Sequence, residues 1–157
     1  MYKGATIMKK TLSIILAFCL FAAIATGCAP KAAEYDLDLL SDKLESSGAF
    51  SDILSEVELP VAAILYGFNE ADIAEGKLLC STGATTEEIG LFKCVDESAA
   101  AKVFSAAEAR VSSQRSAYES YAPAEMPKLD EAIVVNDGVY VFYIVSADAE
   151  AAAAAIK

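Results

Sequence analysis

Residues 132–146 of the 157-residue chain read AIVVNDGVYVFYIVS, and this stretch decides the fold class. Two apolar runs flank the Asn-Asp-Gly step at 136–138, and an Asp-Gly step between apolar runs is a strong short-range signal for a β-hairpin. The second run, 139–145, is apolar at every position, which is typical of a strand covered on both faces. The stretch therefore predicts an antiparallel hairpin whose second strand is central in a sheet.

A second hairpin is predicted upstream, where the apolar runs 78–80 (LLC) and 88–95 (EIGLFKCV) surround a Gly/Thr loop. That loop would align Cys80 with about residue 89 and leave Cys94 several residues further along. Because a disulfide requires Cα atoms within about 7 Å, we expect two free, buried thiols. Zinc is a weaker alternative, since two thiols without a histidine do not complete a site.

Helices are predicted on either side of these strands from the spacing of apolar residues. The expected helical segments are 35–45, a second helix carrying Phe50, Ile53, Leu54 and Val57, a short helix at 61–66, a long helix at 97–121, a helical turn at 123–129 and a closing helix at 148–156. Residues 69–76 read as a turn. Strands gathered between helices, without strict alternation, predict an α+β fold with a small antiparallel sheet of about four strands.

The N-terminus has the pattern of a secretion signal. Lys9 and Lys10 precede the apolar run 11–23 (TLSIILAFCLFAA), and small residues at 25–27 lead to Cys28. This pattern resembles a bacterial lipoprotein signal, in which Cys28 is diacylated and becomes the new N-terminus. The alternative is an ordinary cleaved signal, and the apolar run is shorter than the roughly 20 residues of a transmembrane helix. Whether translation starts at Met1 or Met8 stays open.

The domain organisation follows from this signal. We expect a lipoprotein signal peptide at 1–27, a lipidated cysteine with a short tether at 28–34, and a single α+β domain at 35–157. Two acyl chains give stable attachment to the bilayer, so the predicted location is the extracytoplasmic face of the cell membrane. Residues 29–34 span at most about 20 Å, which keeps the domain close to that membrane.

Composition excludes several classes of function. The chain has 12 basic and 23 acidic residues, a net charge of −11 and no histidine. Such an acidic surface repels phosphate backbones, so nucleic acid is not an expected partner. The commonest general base is missing, and neither a nucleotide-binding glycine motif nor a serine-nucleophile motif occurs. We therefore expect no cofactor, no metal and no catalytic activity.

Two sets of acidic residues are candidates for a functional site. Asp36, Asp38 and Asp42 superficially suggest a calcium loop, but the required glycine and closing glutamate are missing, which favours solvated acids on a helix. Glu87 and Glu88 could form a carboxylate pair. Because neighbouring strand residues point to opposite faces, we expect a structural role for them where the strand begins.

Two arginines lie in the long predicted helix. Arg115 has Glu119 four residues later, the spacing of an exposed helical ion pair. Arg110 has no such acid, so it could pair across the fold or bind an anionic ligand.

Four tyrosines are shared between the long helix and the C-terminal hairpin: Tyr118, Tyr121, Tyr140 and Tyr143. Aromatic rings can line a groove for a sugar or peptide, although they more often cap a core with their hydroxyls at its rim. Together with Arg110 they form the candidate ligand surface.

Three segments carry a resemblance to a known family: 81–97 (STGATTEEIGLFKCVDE), 114–134 (QRSAYESYAPAEMPKLDEAIV) and 138–146 (GVYVFYIVS). From about Tyr35 to Ser146 the chain resembles a family of predicted bacterial lipoproteins catalogued as a domain of unknown function. The resemblance implies an extracytoplasmic lipoprotein and implies no activity.

The sequence thus favours a membrane-anchored binding or adaptor module, held in the bilayer by diacylglyceryl Cys28, for a protein or small-molecule ligand. The alternative is a carboxylate-dependent hydrolase of envelope material, which requires two acids in a cleft, one with a raised pKa. An inhibitor or a structural spacer is a third reading.

Overall fold

The computed structural model of the protein describes residues 33–157. In that range the helices are α1 (Leu37–Ser46), α2 (Leu59–Tyr66), α3 (Glu97–Tyr121), α4 (Met126–Asp130) and α5 (Ala149–Ala155). The strands are β1 (Ser55–Val57), β2 (Ile73–Cys80), β3 (Glu88–Cys94), β4 (Ile133–Asp137) and β5 (Tyr140–Val145). None of the helices among these described residues combines the length and the apolar character needed to cross a membrane.

The five strands form one antiparallel sheet in the order β1-β2-β3-β5-β4. The predicted α+β class is confirmed, with one strand more than expected because β1 adds to the edge at β2. Strand β5 lies between β3 and β4, and all six of its residues are buried. The prediction of an interior strand in the C-terminal hairpin is therefore confirmed.

Helices cover both faces of this sheet. Strand residues alternate between the faces, so strands with continuous apolar runs present apolar side chains on each face for a helix to cover. On the face packed against α3, called here the α3 face, Phe92, Val141 and Tyr143 join a core with residues of α2 and α3. On the opposite face, Leu91 and Phe142 pack with α1 and α5. Each face therefore has its own hydrophobic core, separated by the sheet.

The predicted helix around residues 50–57 is wrong. The backbone bends after Phe50, and Ser55–Val57 pairs with β2, Val57 lying opposite Leu78. The backbone N–H groups of Ser51 and Asp52 donate to the distant carboxylate of Glu87 at 2.9 and 3.0 Å, so they are satisfied without a helix. Ile53, which the helical pattern would bury, is 82% exposed.

The predicted turn at 69–76 is wrong in its second half. A 3₁₀ turn covers Glu70–Asp72, and β2 then begins at Ile73, which lies opposite Cys94. The polar and glycine residues at 74–77 have low strand propensity. Pairing with the full length of β3 overrides that preference, as sheet context commonly does.

The remaining elements lie close to their predicted positions. The upstream hairpin aligns Cys80 with Glu88, one residue from the expected partner. Asp96 caps α3 by accepting from the Ala99 N–H at 2.7 Å, which explains why the long helix begins there. Gly67 ends α2 with φ 77°, a left-handed conformation that favours glycine. The signal peptide and Cys28 lie outside the described residues.

Candidate functional site

The most unusual feature of the α3 face is a group of polar side chains between sheet and helix, called here the Glu88 cluster: Glu88, Arg110, Gln114 and Tyr143. Arg110 Nε and Nη2 donate to the two Glu88 carboxylate oxygens at 3.3 and 2.8 Å. Gln114 Nε2 donates to Glu88 Oε2 at 2.9 Å, and the Tyr143 hydroxyl donates to Gln114 Oε1 at 2.5 Å. The Glu88 side chain is only 2% exposed, so these contacts replace its hydration.

Sequence spacing brings these four residues together. Glu88 is the first residue of β3, and Tyr143 lies on the neighbouring strand opposite Gly90. Arg110 and Gln114 are four residues apart in α3, which places them on one side of that helix. The sheet therefore supplies the carboxylate and the phenol, and the helix supplies the cation and the amide.

Electrostatics within the Glu88 cluster favour the ion pair. Burial lowers the pKa of Arg110, but the hydrogen bonds and charge of Glu88 outweigh burial and hold that pKa above its ordinary value. Burial also raises the pKa of Tyr143, so its phenol stays neutral and acts as a donor. The cluster thus holds one fixed carboxylate–guanidinium pair.

Tyr66 lies beside this cluster with its hydroxyl buried and without a hydrogen-bond partner in the described chain. Its ring lies 5.7 Å from the Arg110 guanidinium carbon, and burial raises its pKa well above the usual value. Gly90 makes room for the hydroxyl, since a Cβ at that position would lie 2.6 Å from it. The approach of α2 to the sheet therefore depends on the missing side chain at Gly90.

A second ionic group, called here the Glu87 cluster, consists of Glu87, Glu125 and Lys128. The Glu87 carboxylate accepts from Lys128 Nζ at 2.9 Å and from the Ser51 hydroxyl. It also accepts from the backbone N–H groups of Ser51 and Asp52. Glu125 accepts from the Thr86 N–H at 2.9 Å and from Lys128 at 3.0 Å. Lys128 thus joins the loop before β3 to the segment after α3.

The pKa values of both carboxylates in the Glu87 cluster are lowered. Burial raises the pKa of Glu87, but hydrogen bonds from Ser51, Lys128 and Asp52 outweigh burial. Burial likewise raises the pKa of Glu125, and bonds from Thr86 and Lys128 outweigh it. Glu87 and Glu88 therefore engage different partners, as their adjacency predicts, and both are integrated into the fold.

The structure does not bring the candidate ligand residues to one surface. Tyr143 and Arg110 lie in the Glu88 cluster, whereas Tyr140 lies on the opposite face of the sheet. The ring centroid of Tyr140 is 5.0 Å from that of Tyr35 and 6.3 Å from that of Phe142. The ring centroid of Tyr35 also lies 5.0 Å from that of Phe142. Tyr140 and Tyr143 are three residues apart in β5, and an odd spacing puts strand residues on opposite faces.

The helical tyrosines lie near the β2–β3 loop. The Tyr118 hydroxyl lies 3.1 Å from the carbonyl oxygens of Gly83 and of Thr85, and either oxygen can accept its hydrogen bond. Tyr121 is 75% exposed, with its ring 6.1 Å from that of Tyr118. Tyr118 therefore holds the loop, and Tyr121 is the one aromatic member of the predicted set that is largely free to contact a ligand.

The predicted Arg115–Glu119 pair is wrong, because Arg115 forms its salt bridge with Asp130 at the end of α4. Packing of α4 against α3 brings that acid within reach. The acids of α1 are exposed, as expected for solvated side chains: Asp36 caps the helix through the Leu39 N–H, and Asp38 pairs with Lys77 at 2.6 Å.

Both cysteines of the described residues are free thiols at opposite ends of the β2–β3 hairpin; Cys94 is buried as expected, whereas Cys80 is only half-buried. Cys80 lies opposite Glu88, and Cys94 lies opposite Ile73. Burial is the main cause that raises the pKa of Cys80 to about 12 and that of Cys94 to about 11. Both thiols are therefore poor nucleophiles. Residues 33–157 contain no group of three or more metal-ligating side chains that could hold a metal ion.

A concave surface opens where α3, α4 and β4 meet, with a volume of about 440 Å³. It is called here the edge groove and is lined by Phe104, Glu108, Val111, Ser112, Arg115, Leu129, Ala132 and Val134. Strand β4 is the last strand of the sheet on this side, so the groove lies beside a free strand edge. A separate apolar surface lies on α2, where Val61, Ile64 and Leu65 are exposed.

Sequence reasoning missed Gln114, Glu125, Lys128 and the edge groove. A signal for Gln114 was present, because it continues the buried stripe of Val103 and Ala107 at helical spacing. A polar residue at a core position indicates a buried partner. Glu125 and Lys128 are three residues apart and pair with each other, but their contacts with Thr86 and Glu87 join segments about 40 residues apart, for which the sequence has no signal.

No curated protein and no solved structure matches the chain. Over residues 54–146, more than half of its length, the chain matches the family described as a domain of unknown function (DUF4358). That range holds the whole sheet, the Glu88 cluster and the edge groove. It starts at residue 54, whereas we expected the resemblance to start at about Tyr35. The chain belongs to the DUF4358 family.

Proposed function

We propose that the protein is a lipid-anchored, extracytoplasmic binding module of the cell membrane. The edge groove is the observation that supports binding most directly. It is a concave surface lined by both apolar and polar side chains, and the strand beside it has a free edge. Binding sites typically are concave and mostly apolar with a few polar groups, and Glu108, Ser112 and Arg115 supply polar groups here.

The state of the buried acids favours binding over hydrolysis. A carboxylate hydrolase needs one acid with a raised pKa that delivers a proton. Glu87 and Glu125 have lowered pKa values, and Glu88 is occupied by Arg110 and Gln114. These carboxylates serve the fold, which leaves surface complementarity as the basis of function.

The anchor is inferred from the sequence, where small residues lead directly to Cys28. We expect metabolic labelling with an alkyne fatty acid to label the full chain in bacterial cells and to fail for Cys28→Ser. Cys19→Ser is the matched control, because it removes a cysteine from the apolar stretch and should leave labelling unchanged. Full labelling of Cys28→Ser would refute the anchor.

Binding at the edge groove can be tested by site-specific photo-crosslinking in intact cells. A crosslinking residue at Ser112, which lines the groove, should give a discrete adduct. The same residue at Ser98 should give none, because Ser98 is exposed near the start of α3 and is not among the groove residues. Absence of an adduct at Ser112, or equal adducts at both positions, would contradict the proposal.

A further inference from the structure

We propose that β4 accepts an extended segment of a partner protein as an additional strand, and that the edge groove receives apolar side chains of this segment. The segment alternates apolar with basic residues. This inference rests on the proposed function only in treating the domain as a binding module, and it specifies the mode of binding and the chemistry of the partner.

One edge of β4 is free in the described residues. Ile133–Asp137 pairs with β5 alone, and no other described segment bonds to its backbone. In an antiparallel pair, alternate N–H and C=O groups of an edge strand point away from the neighbour. Such a row of unpaired groups is a template for another strand.

The two edges of the sheet differ in how they are protected. Strand β1 has three residues, carries exposed Glu56, and is followed closely by Pro60. Strand β4 has five residues, begins Ile-Val-Val, contains neither lysine nor proline, and carries its single charge, Asp137, at its last position. Natural proteins protect edges with short strands, charges and prolines. By these criteria β4 is the edge that remains available for pairing.

The edge groove lies beside β4, on the α3 face of the sheet. Val134 lies opposite Tyr143, so its side chain is on the α3 face, where it lines the groove with Phe104 and Val111. A strand added beside β4 would place every second side chain on this same face. Those side chains would meet the groove, so strand pairing supplies affinity and the groove supplies selectivity.

Acidic side chains near the groove indicate the charge of the partner segment. Arg115 is occupied by Asp130, whereas Glu108 has no ion-pair partner among the described residues and is exposed. Exposed Glu131 precedes β4, whereas Asp137 at the end of the strand lies on the opposite face and accepts from the Tyr35 hydroxyl. The available charges near the groove are therefore carboxylates, which favours lysine or arginine in the partner segment. A second copy, with its own net charge of −11, would be repelled.

The test uses the full chain extracted in detergent and a fluorescent synthetic peptide of alternating lysine and valine, KVKVKVK. We expect saturable binding, and at least tenfold weaker binding of EVEVEVE. Ser112→Trp fills the groove from an exposed position and should weaken KVKVKVK binding at least tenfold. Ser98→Trp, the matched change outside the groove, should leave it unchanged. Glu108→Gln should reduce both the affinity and its dependence on salt.

Strand addition is tested on the peptide itself, which leaves the fold of the protein untouched. Two versions of KVKVKVK carry N-methyl groups on either the valines or the lysines, so each lacks the backbone donors of one edge. At least one version should bind at least tenfold more weakly than the parent. Equal binding of all three peptides would overturn strand addition.

Failure of this inference is distinguishable from failure of the proposed function. If Ser112 crosslinks a partner in cells while KVKVKVK does not bind, the binding module stands, and a partner segment that alternates apolar with basic residues is ruled out. If light scattering shows a dimer that Ser112→Trp dissociates, the occupant is a second copy and the proposal is overturned.

Discussion

Glu88 and Arg110 place opposite charges between a sheet and a helix, where removal from water costs several kcal/mol for each ion. The arrangement persists because each group is fully engaged: the carboxylate accepts from Arg110 and Gln114, and the guanidinium reaches both carboxylate oxygens. Loss of one member leaves the other as an isolated buried charge. The two arginines of α3 should therefore respond differently to substitution.

We expect Arg110→Ala to lower the free energy of unfolding by about 3–5 kcal/mol, because it leaves Glu88 buried without a cation. Arg115→Ala is the control on the same helix and should cost less than about 1 kcal/mol, since both side chains of its pair are substantially exposed. Urea unfolding measures both. Similar losses for the two variants would show that the Glu88 pair is not buried in solution.

Gly90 and Tyr66 offer a test of close packing. Gly90→Ala places a methyl group 2.6 Å from the Tyr66 hydroxyl and 3.0 Å from Phe92, which should cost about 1–3 kcal/mol. Tyr66→Phe removes a buried hydroxyl without a partner and should be close to neutral. The double variant should recover part of the loss in thermal unfolding. Strict additivity of the two effects would refute the contact.

The sequence predicts a structural role for Glu87 and Glu88 where the strand begins, but it does not predict their burial, since acids usually lie at the surface. Both residues are buried because partners from distant segments neutralise them. Adjacency correctly predicts that they diverge. It does not predict Lys128 or Arg110 as their partners, since pairing across 41 and 22 residues depends on the assembled fold.

At the scale of elements, strand β5 contributes to both cores through alternate residues. Phe142, 2% exposed, packs on the α1 side, whereas Phe104 on α3 is partly buried beside the edge groove. We expect Phe142→Ala to cost about 3–5 kcal/mol and Phe104→Ala less than about 2 kcal/mol, because less apolar surface returns to water. Chemical denaturation compares them. A larger loss for Phe104 would contradict the assigned burial.

Elements defined by local signals were predictable, and elements defined by long-range pairing were not. The Asp-Gly turn and the Asp96 cap lie within a few residues of the segments they specify. The spacing of Phe50, Ile53 and Leu54 is also a local signal, and it fits a helix. The long-range pairing of Val57 with Leu78 and the hydrogen bond from the Asp52 N–H to Glu87 override it. The expectation that Tyr140 and Tyr143 share a surface was avoidable. They are three residues apart in one predicted strand, and strand alternation places such residues on opposite faces.

At the scale of the whole molecule, the Glu87 cluster links stability to pH. The pKa values of Glu87 and Glu125 are lower in the folded protein. Their contribution is therefore fully present above the unfolded value of about 4.3 and is lost as pH falls through the lowered folded values. We expect urea midpoints to decrease below about pH 4.3, and Glu87→Gln to flatten that decrease. Parallel curves for both proteins would contradict this linkage.

The strand order has a consequence for the rate of folding. Strands β2 and β3 are joined by 81–87, and β4 and β5 by 138–139, so each hairpin closes a short loop, whereas β3 and β5 are joined only through 95–139. Hairpins form in about 1–10 μs, and closing the longer loop carries a larger entropic cost. We expect docking of the two hairpins along the β3–β5 seam to be the slow step of folding. Substitutions along that seam, where Gly90 faces Tyr143, would act on the refolding rate, and those in β1 on the unfolding rate.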